Sequence, residues 1–265
     1  MINIKDCKES FFKHLDKYED KSTIGFELKI KHTFRVMKIS KVLTKKLNLT
    51  KEEKDLAEVI ALLHDIGRFE ELLYTKKLDS ARFDHSSVGI KVLFEDNIIE
   101  KFNIDKKYYD TINKAVLNHS KKEIPNDLNE DELLQAKIIR DADKLDNFKL
   151  KITNKIKECF PGNINSKKEV EDSLISEKVY NSIMKHECVD VKDRETPLDL
   201  FICVLGFVYD LNFIESLELV KEKDYINRII DRFDYNNQKT NEQMENIIIE
   251  LNKFIDKKLT NHNTK

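Results

Sequence analysis

The stretch DLAEVIALLHDIGRFEE, residues 55–71, places a histidine and an aspartate side by side at the end of a strongly apolar run. Apolar residues fill positions 59–63, which predicts a helix that is buried on most sides. Burying His64 and Asp65 together is costly unless each is paired or bound to a metal. The stretch therefore predicts a buried helix that ends in a polar or metal-binding site.

The boundaries of this helix and of its neighbours follow from capping signals and helical periodicity. Thr50 and Glu53 match a capping box before the apolar run, and we expect the helix to end just before Gly67. Residues 76–83 are polar and irregular, which predicts a loop, and the tail 260–265 is predicted to be disordered. Apolar residues at helical spacing predict further helices at 24–47, 86–99, 108–119 and 132–151.

The composition of the chain favours helices over strands. Of its 265 residues only five are glycine and three are proline, so the turn residues that many short strands would need are scarce. A chain of this length buries a core large enough to enclose a site. We therefore predict an all-α protein, with a helical bundle at residues 1–154 and additional C-terminal helices at 155–265.

Charge and cysteine usage narrow the classes of function. The 47 basic and 49 acidic side chains nearly cancel to a formal charge of -2, so no bulk attraction to nucleic acid or to an acidic membrane is expected. The four cysteines are scattered without a Cys-x-x-Cys pair, and the first residues show no apolar signal-peptide stretch. We expect a cytoplasmic protein with reduced thiols.

The most hydrophobic stretch is LDLFICVLGFVYDL, residues 198–211, which is bounded by Asp199 and Asp210. Its uncharged part is shorter than the roughly 20 residues that a membrane-spanning helix needs. We therefore predict a core helix here and no membrane association.

Five motifs, which occur in a fixed order, contain the candidate site residues of the sequence. They are KHTFRVMKIS at 31–40, ALLHDIGRFEE at 61–71, FDHSSVG at 83–89, VLNHSKKE at 116–123 and IIRDADKLDNF at 138–148. In this order they resemble the HD-domain superfamily, whose ligand set is a histidine, an adjacent His-Asp and a distant aspartate. The last motif is similar to the family pattern A-D-[KR]-L-x-N, which selects Asp143 rather than Asp141 or Asp146 as the ligand.

The resemblance implies a metal site on an HD-domain helical bundle. The implied ligands of one metal are His32, His64, Asp65 and Asp143. The remaining motif histidines are similar to those of the subset that holds two metals, so Asp65, His85 and His119 would bind the second ion. Imidazole and carboxylate ligands suit Fe, Mn, Co, Ni or Zn better than Ca or Mg.

The activity that the resemblance implies is that of a metal-dependent phosphohydrolase, in which metal-activated hydroxide attacks a phosphoester. Asp65 would bridge the metals, and Arg68 and Lys144 are the preferred substrate contacts, because both side chains suit phosphate oxygens. Arg68 also has Glu70 and Glu71 as alternative partners on its own segment. Further basic candidates are Arg140, Lys121 and Lys122. The expected partner is a small phosphorylated substrate such as a nucleotide, and a homodimer is compatible with the sequence.

Two other classes of function remain open from the sequence. Di-iron oxygenases of the HD fold use the same six-ligand arrangement, so the ligands alone do not separate oxygenase from hydrolase chemistry. In the third class the metal only stabilises a non-catalytic binding module, although structural metal sites tend to be closed. The HD-GYP phosphodiesterases are a poorer match, because the chain has Ser120 after His119 and lacks their Gly-Tyr-Pro signature.

Overall fold

A computed structural model describes residues 2–18, 24–75, 83–159, 164 and 166–263 of the chain. Within those ranges every regular element is helical and no strand is present, which confirms the predicted all-α class. The chain divides into two compact units, Met1–Asp143 and Lys144–Lys265. The domain boundary predicted after residue 154 stays a prediction.

The first unit is built from helices around a common apolar core. Its helices are α1 (Ile4–Leu15), α2 (Ile24–Lys46), α3 (Lys51–Leu63), α4 (Ile66–Thr75), α5 (His85–Ile90), α6 (Tyr109–Asn118) and the first part of α7 (Glu130–Thr153). A π-helical turn at Lys91–Glu95 and 3₁₀ turns at Ile98–Phe102 and Lys106–Tyr108 follow α5. The central helix is α3, since it packs against α1, α2 and α6.

The second unit continues from α7 through shorter helices to one long helix. Its described helices are α8 (Ile156–Cys159), α9 (Lys167–Glu171), α10 (Glu177–Met184), α11 (Pro197–Ile202), α12 (Ile214–Glu222), α13 (Tyr225–Ile230) and α14 (Gln238–Asn263). Two 3₁₀ segments accompany them, at Val191–Asp193 and Cys203–Asp210. The long α14 packs against α10, α12 and α13, so it holds this unit together.

The sequence of α3 accounts for its central position. Thr50 and Glu53 form the predicted capping box: Thr50 N donates to Glu53 Oε2 at 2.7 Å, and Glu53 N donates to Thr50 Oγ1 at 3.3 Å. These bonds satisfy two backbone donors that the first turn of a helix leaves without partners. The apolar run 59–63 is buried, as expected. The helix therefore delivers His64, its next residue, into the interior of the unit.

Two predicted helices of the first unit end earlier than expected. The helix predicted at 86–99 is α-helical only in α5, and after the π-helical turn Asn97 adopts the left-handed region with φ at 56°. Asparagine tolerates this conformation, which interrupts the helical hydrogen-bond ladder. The prediction that α3 runs until just before Gly67 was also wrong, because α3 ends at Leu63 and Gly67 lies inside α4.

The segment 198–211, predicted as one core helix, forms an α-helix that is followed by a 3₁₀ helix. Here α11 ends at Ile202, and the chain continues as a 3₁₀ helix in which the backbone of Gly206 packs close to that of Glu187. None of the described helices is both long enough and apolar enough to cross a membrane. The tail predicted as disordered is helical as far as Asn263, whereas the predicted loop 76–83 lies almost entirely outside the described residues.

Glycine at position 67 lets α4 and α5 cross with their backbones in contact. A methyl group on Gly67 would lie 2.1 Å from the carbonyl oxygen of His85 and 2.6 Å from the backbone nitrogen of Gly89. No side chain fits at such distances, so the close approach requires glycine here. The crossing brings Asp65, two residues before Gly67, next to the side chain of His85.

We expect Gly67→Ala to destabilise the protein by about 1–3 kcal/mol, because its methyl group would force the two backbones apart. The matched control is Gly89→Ala, since a methyl group there would make only ordinary contacts, the nearest at 3.5 Å. Urea unfolding followed by far-UV circular dichroism measures both variants. A Gly67→Ala protein as stable as Gly89→Ala would contradict the importance of this crossing.

Candidate metal site

Two histidines at helix ends present the same ring nitrogen to the interior. His64 follows α3, and its Nδ1 lies 2.8 Å from the carbonyl oxygen of Ala61. His119 follows α6, and its Nδ1 lies 2.7 Å from the carbonyl oxygen of Val116. A carbonyl oxygen only accepts hydrogen bonds, so Nδ1 carries a proton in both rings, and in the neutral ring Nε2 keeps its lone pair. Both Nε2 atoms are therefore suited to bind a metal.

Each of these rings faces a second histidine. Nε2 of His64 lies 3.4 Å from Nε2 of His32, which α2 supplies. Nε2 of His119 lies 3.1 Å from Nε2 of His85, the first residue of α5. In each pair at least one nitrogen offers a lone pair, so either a proton or a metal ion has to join the two nitrogens.

The site combines neutral imidazoles with charged carboxylates. Burial lowers the pKa of His64 to about 4 and that of His85 to about 2, so both rings are neutral at neutral pH, the form that binds metals. Burial raises the pKa of Asp65, but the ammonium of Lys29 acts against it, and this pKa lies well below its usual value. Burial raises the pKa of Asp143 as well, but a hydrogen bond from His32 acts against it, and this pKa is also lowered. One ring of each pair, His64 in the first and His85 in the second, is therefore in the neutral form that binds a metal.

The two carboxylate oxygens of Asp65 face different histidine pairs. Oδ2 lies 3.4 Å from Nε2 of His32 and 3.6 Å from Nε2 of His64; we name this side the first subsite. Oδ1 lies 3.5 Å from Nε2 of His85 and 3.6 Å from Nε2 of His119; we name this side the second subsite. One carboxylate thus spans both subsites.

Asp143 completes the first subsite from α7. Its Oδ1 lies 3.1 Å from Nε2 of His32, and the ligand atoms of His32, His64 and Asp143 all lie within 4.8 Å of one another. The ligand atoms of His64, Asp65 and His119 also lie within 4.8 Å of one another. His64 therefore borders both subsites, whereas the sequence interpretation assigned it to one metal alone.

The separations between the donor atoms fit ligands that share a metal ion. Metal–nitrogen bonds of about 2.0–2.1 Å that meet at about 90–120° separate their two donors by about 2.8–3.6 Å. The neighbouring donors of this site lie 3.1 to 3.6 Å apart. Imidazole nitrogen with carboxylate oxygen favours Fe, Mn, Co, Ni or Zn over Ca or Mg. The histidine and aspartate clusters therefore indicate that the protein binds a divalent metal.

The sequence interpretation missed Lys29. Its ammonium lies 2.8 Å from Oδ2 of Asp65, and its side chain is only 16% exposed. Lys29 precedes His32 by about one helical turn on α2, so both residues share the inward-facing side of the helix. That spacing is a weak signal, because lysine is mostly exposed in proteins.

The two predicted substrate contacts have different surroundings. Arg68 Nη1 donates to the buried carboxylate of Glu71 at 2.6 Å, and Arg68 Nε lies 3.8 Å from Oδ1 of Asp65. The guanidinium therefore stands beside the second subsite. Lys144 belongs to the second unit, where its Nζ lies 2.9 Å from Oδ2 of Asp210. For both residues the contact with substrate stays a prediction.

The further basic candidates bond to the protein itself. The side chain of Arg140 is buried, and its Nη1 and Nη2 donate to the backbone oxygens of Asn118, Lys121 and Lys122. These carbonyls lie at and after the end of α6, so Arg140 fastens the turn around His119 to α7. The ammonium of Lys121 forms an ion pair on the surface.

We expect Arg140→Met to lower the free energy of unfolding by about 2–4 kcal/mol, because three carbonyl oxygens lose a charged donor. Metal affinity falls as well, since His119 lies within the released turn. Urea unfolding and a metal titration measure the two effects. The control is Arg228→Met, which removes an exposed arginine that donates to the Lys223 oxygen at 3.3 Å. Equal losses in the two variants would contradict the role of Arg140.

The fold and the site together define an all-helical protein with a buried histidine and aspartate cluster for a divalent metal. The family model described as HD domain matches residues 30–147, and the histidine and aspartate cluster in this range is consistent with an HD-domain metal site. All six predicted ligands fall within the matched range. HD domains belong to a superfamily of metal-dependent hydrolases. Neither the curated proteins nor the solved structures gave a match to the chain.

Proposed function

We propose that the protein is a metal-dependent phosphohydrolase that holds two divalent transition-metal ions. The ions would be shared by His32, His64, Asp65, His85, His119 and Asp143. The substrate would be a nucleotide or another small phosphomonoester or phosphodiester. This proposal is narrower than the general association of HD domains with metal-dependent hydrolysis.

The division of the Asp65 carboxylate between two histidine pairs is the observation that carries the proposal. Each oxygen has its own two imidazoles within 3.6 Å, so the donors suit two ions better than one. Two-metal sites with ions about 3.5–4 Å apart recur among phosphatases and nucleases. The arrangement therefore supports phosphoester chemistry.

Ions bound in the two subsites would supply a nucleophile from water at neutral pH and neutralise the phosphate oxygens. Side chains of the protein would orient the ions and the phosphate group. Asp65 holds the two subsites in a fixed relation through its two oxygens. Arg68, anchored by Glu71, keeps a guanidinium beside the second subsite, where it suits a phosphate oxygen.

Metal analysis joined to a substrate panel tests the proposal. The purified protein is supplied with Mn or Fe(II) and assayed for hydrolysis of nucleotides, phosphomonoesters and phosphodiesters. We expect metal-dependent hydrolysis of at least one class. Oxygen consumption with a polyol or a phosphonate, without hydrolysis, would favour the oxygenase instead. Bound metal with neither activity would favour a binding module.

We expect Asp65→Ala to lose metal and hydrolytic activity together, because both subsites lose their shared carboxylate. Much of the far-UV circular dichroism signal is retained, since the helices of the first unit also pack through its apolar core. Asp55→Ala is the control, because that carboxylate pairs with Lys51 at 2.8 Å. Metal content and hydrolysis rate are measured for both. An Asp65→Ala protein with full activity would refute the assigned site.

We expect Arg68→Met to lower kcat/KM by about 10- to 100-fold, because one charge-assisted hydrogen bond to phosphate is lost. Metal content stays that of the wild type, since Arg68 is not a ligand. Lys144→Met tests the other predicted contact in the same assay. Lys31→Met is the control, because this exposed lysine on α2 pairs with Glu27 at 2.7 Å. An unchanged kcat/KM would remove Arg68 from the substrate contacts.

A further inference from the structure

A lysine ammonium is bonded to the carboxylate at the centre of the metal site. Lys29 Nζ lies 2.8 Å from Asp65 Oδ2, and the two side chains are 16% and 4% exposed. Solvent and salt screen such a pair much less than an exposed one, so the attraction between the two charges is strong. Lys29 is therefore a counter-charge for Asp65 that is built into the chain.

The same carboxylate oxygen serves the first subsite. Oδ2 of Asp65 also faces Nε2 of His32 and Nε2 of His64, whereas Oδ1 faces the second subsite. A divalent ion bound by these imidazoles would also bind this carboxylate oxygen, which already accepts a hydrogen bond from Lys29. An ammonium and a dication repel each other at such short range. Metal binding in the first subsite therefore weakens or breaks the bond between Lys29 and Asp65.

We propose that Lys29 is an internal cation that replaces the metal ion at Asp65 in the metal-free protein and competes with it during loading. Its bond compensates the buried carboxylate, so the site stays folded when no ion is bound. The consequence is a lower metal affinity, so the first subsite needs a higher metal concentration to be loaded. The inference rests on the metal-binding part of the proposed function and not on phosphoester hydrolysis.

A lysine that only orients Asp65 would have the opposite effect on metal binding. Removing such a lysine would let the carboxylate move and would weaken the binding of metal. Removing a competing lysine leaves the carboxylate charge to the metal alone, which strengthens binding, while the metal-free protein loses stability. Removing Lys29 therefore raises the metal affinity if the lysine competes with the metal, and lowers it if the lysine only orients Asp65.

The experiment compares Lys29→Met, Lys29→Arg and Lys31→Met by chelator competition with Mn or Zn. Competition starts from the loaded protein, and far-UV circular dichroism after chelation shows whether the metal-free variant stays folded. We expect one ion to be held at least about tenfold more tightly by Lys29→Met than by Lys31→Met. The thermal midpoint of metal-free Lys29→Met falls below that of Lys31→Met. Lys29→Arg keeps the charge, so its metal affinity stays near that of the wild type.

Lys31→Met is a matched control because it removes the same side chain two residues further along α2, where it is exposed. A Lys29→Met protein that binds metal as tightly as Lys31→Met, or more weakly, would overturn the inference. Failure of Lys29→Met to fold without metal, joined to tighter binding when loaded, supports it. A wild-type protein that binds no divalent metal would overturn this inference and the proposed function alike. Metal binding without phosphoester hydrolysis would overturn only the hydrolase proposal.

Discussion

The buried charge of Asp65 is the constraint on which the rest of the site depends. Burial alone favours the neutral form of a carboxylic acid, so a charged carboxylate in the interior needs partners on every open side. Lys29 and His32 reach Oδ2 from α2, while His85 and His119 reach Oδ1 from α5 and from the end of α6. Helices that are distant in the sequence are therefore held together around one side chain.

Backbone geometry determines which atoms meet around this carboxylate. The glycine at position 67 allows α4 and α5 to touch, which sets the distance between Asp65 and His85. His64 and His119 each follow the last residue of a helix and bond through Nδ1 to the carbonyl three residues earlier. That shared local structure aims Nε2 inward in both rings. The ring nitrogens therefore converge for two reasons: two of the histidines follow helix ends, and α4 and α5 cross closely.

Local patterns in the sequence predicted the features that depend on neighbouring residues. Periodicity and the pair Thr50 and Glu53 located α2, α3, α6 and α7, and motif order selected six residues that the structure brings together. The features that were missed depend on contacts between distant segments. The bond from Lys29 to Asp65 joins residues 36 apart, and the bonds of Arg140 reach carbonyls about 20 residues earlier. The spacing of residues within one helix does not indicate contacts between distant segments.

Unequal exposure around the site favours an accessible metal centre over a closed structural one. The side chains of His64 and His119 are 0% and 1% exposed, whereas that of Asp143 is 23% exposed. Structural metal sites tend to be closed, while catalytic sites keep a position open for water or substrate. Asp143 and Lys29 both border the first subsite. Solvent therefore reaches the first subsite beside Asp143, where an ion would compete with the ammonium.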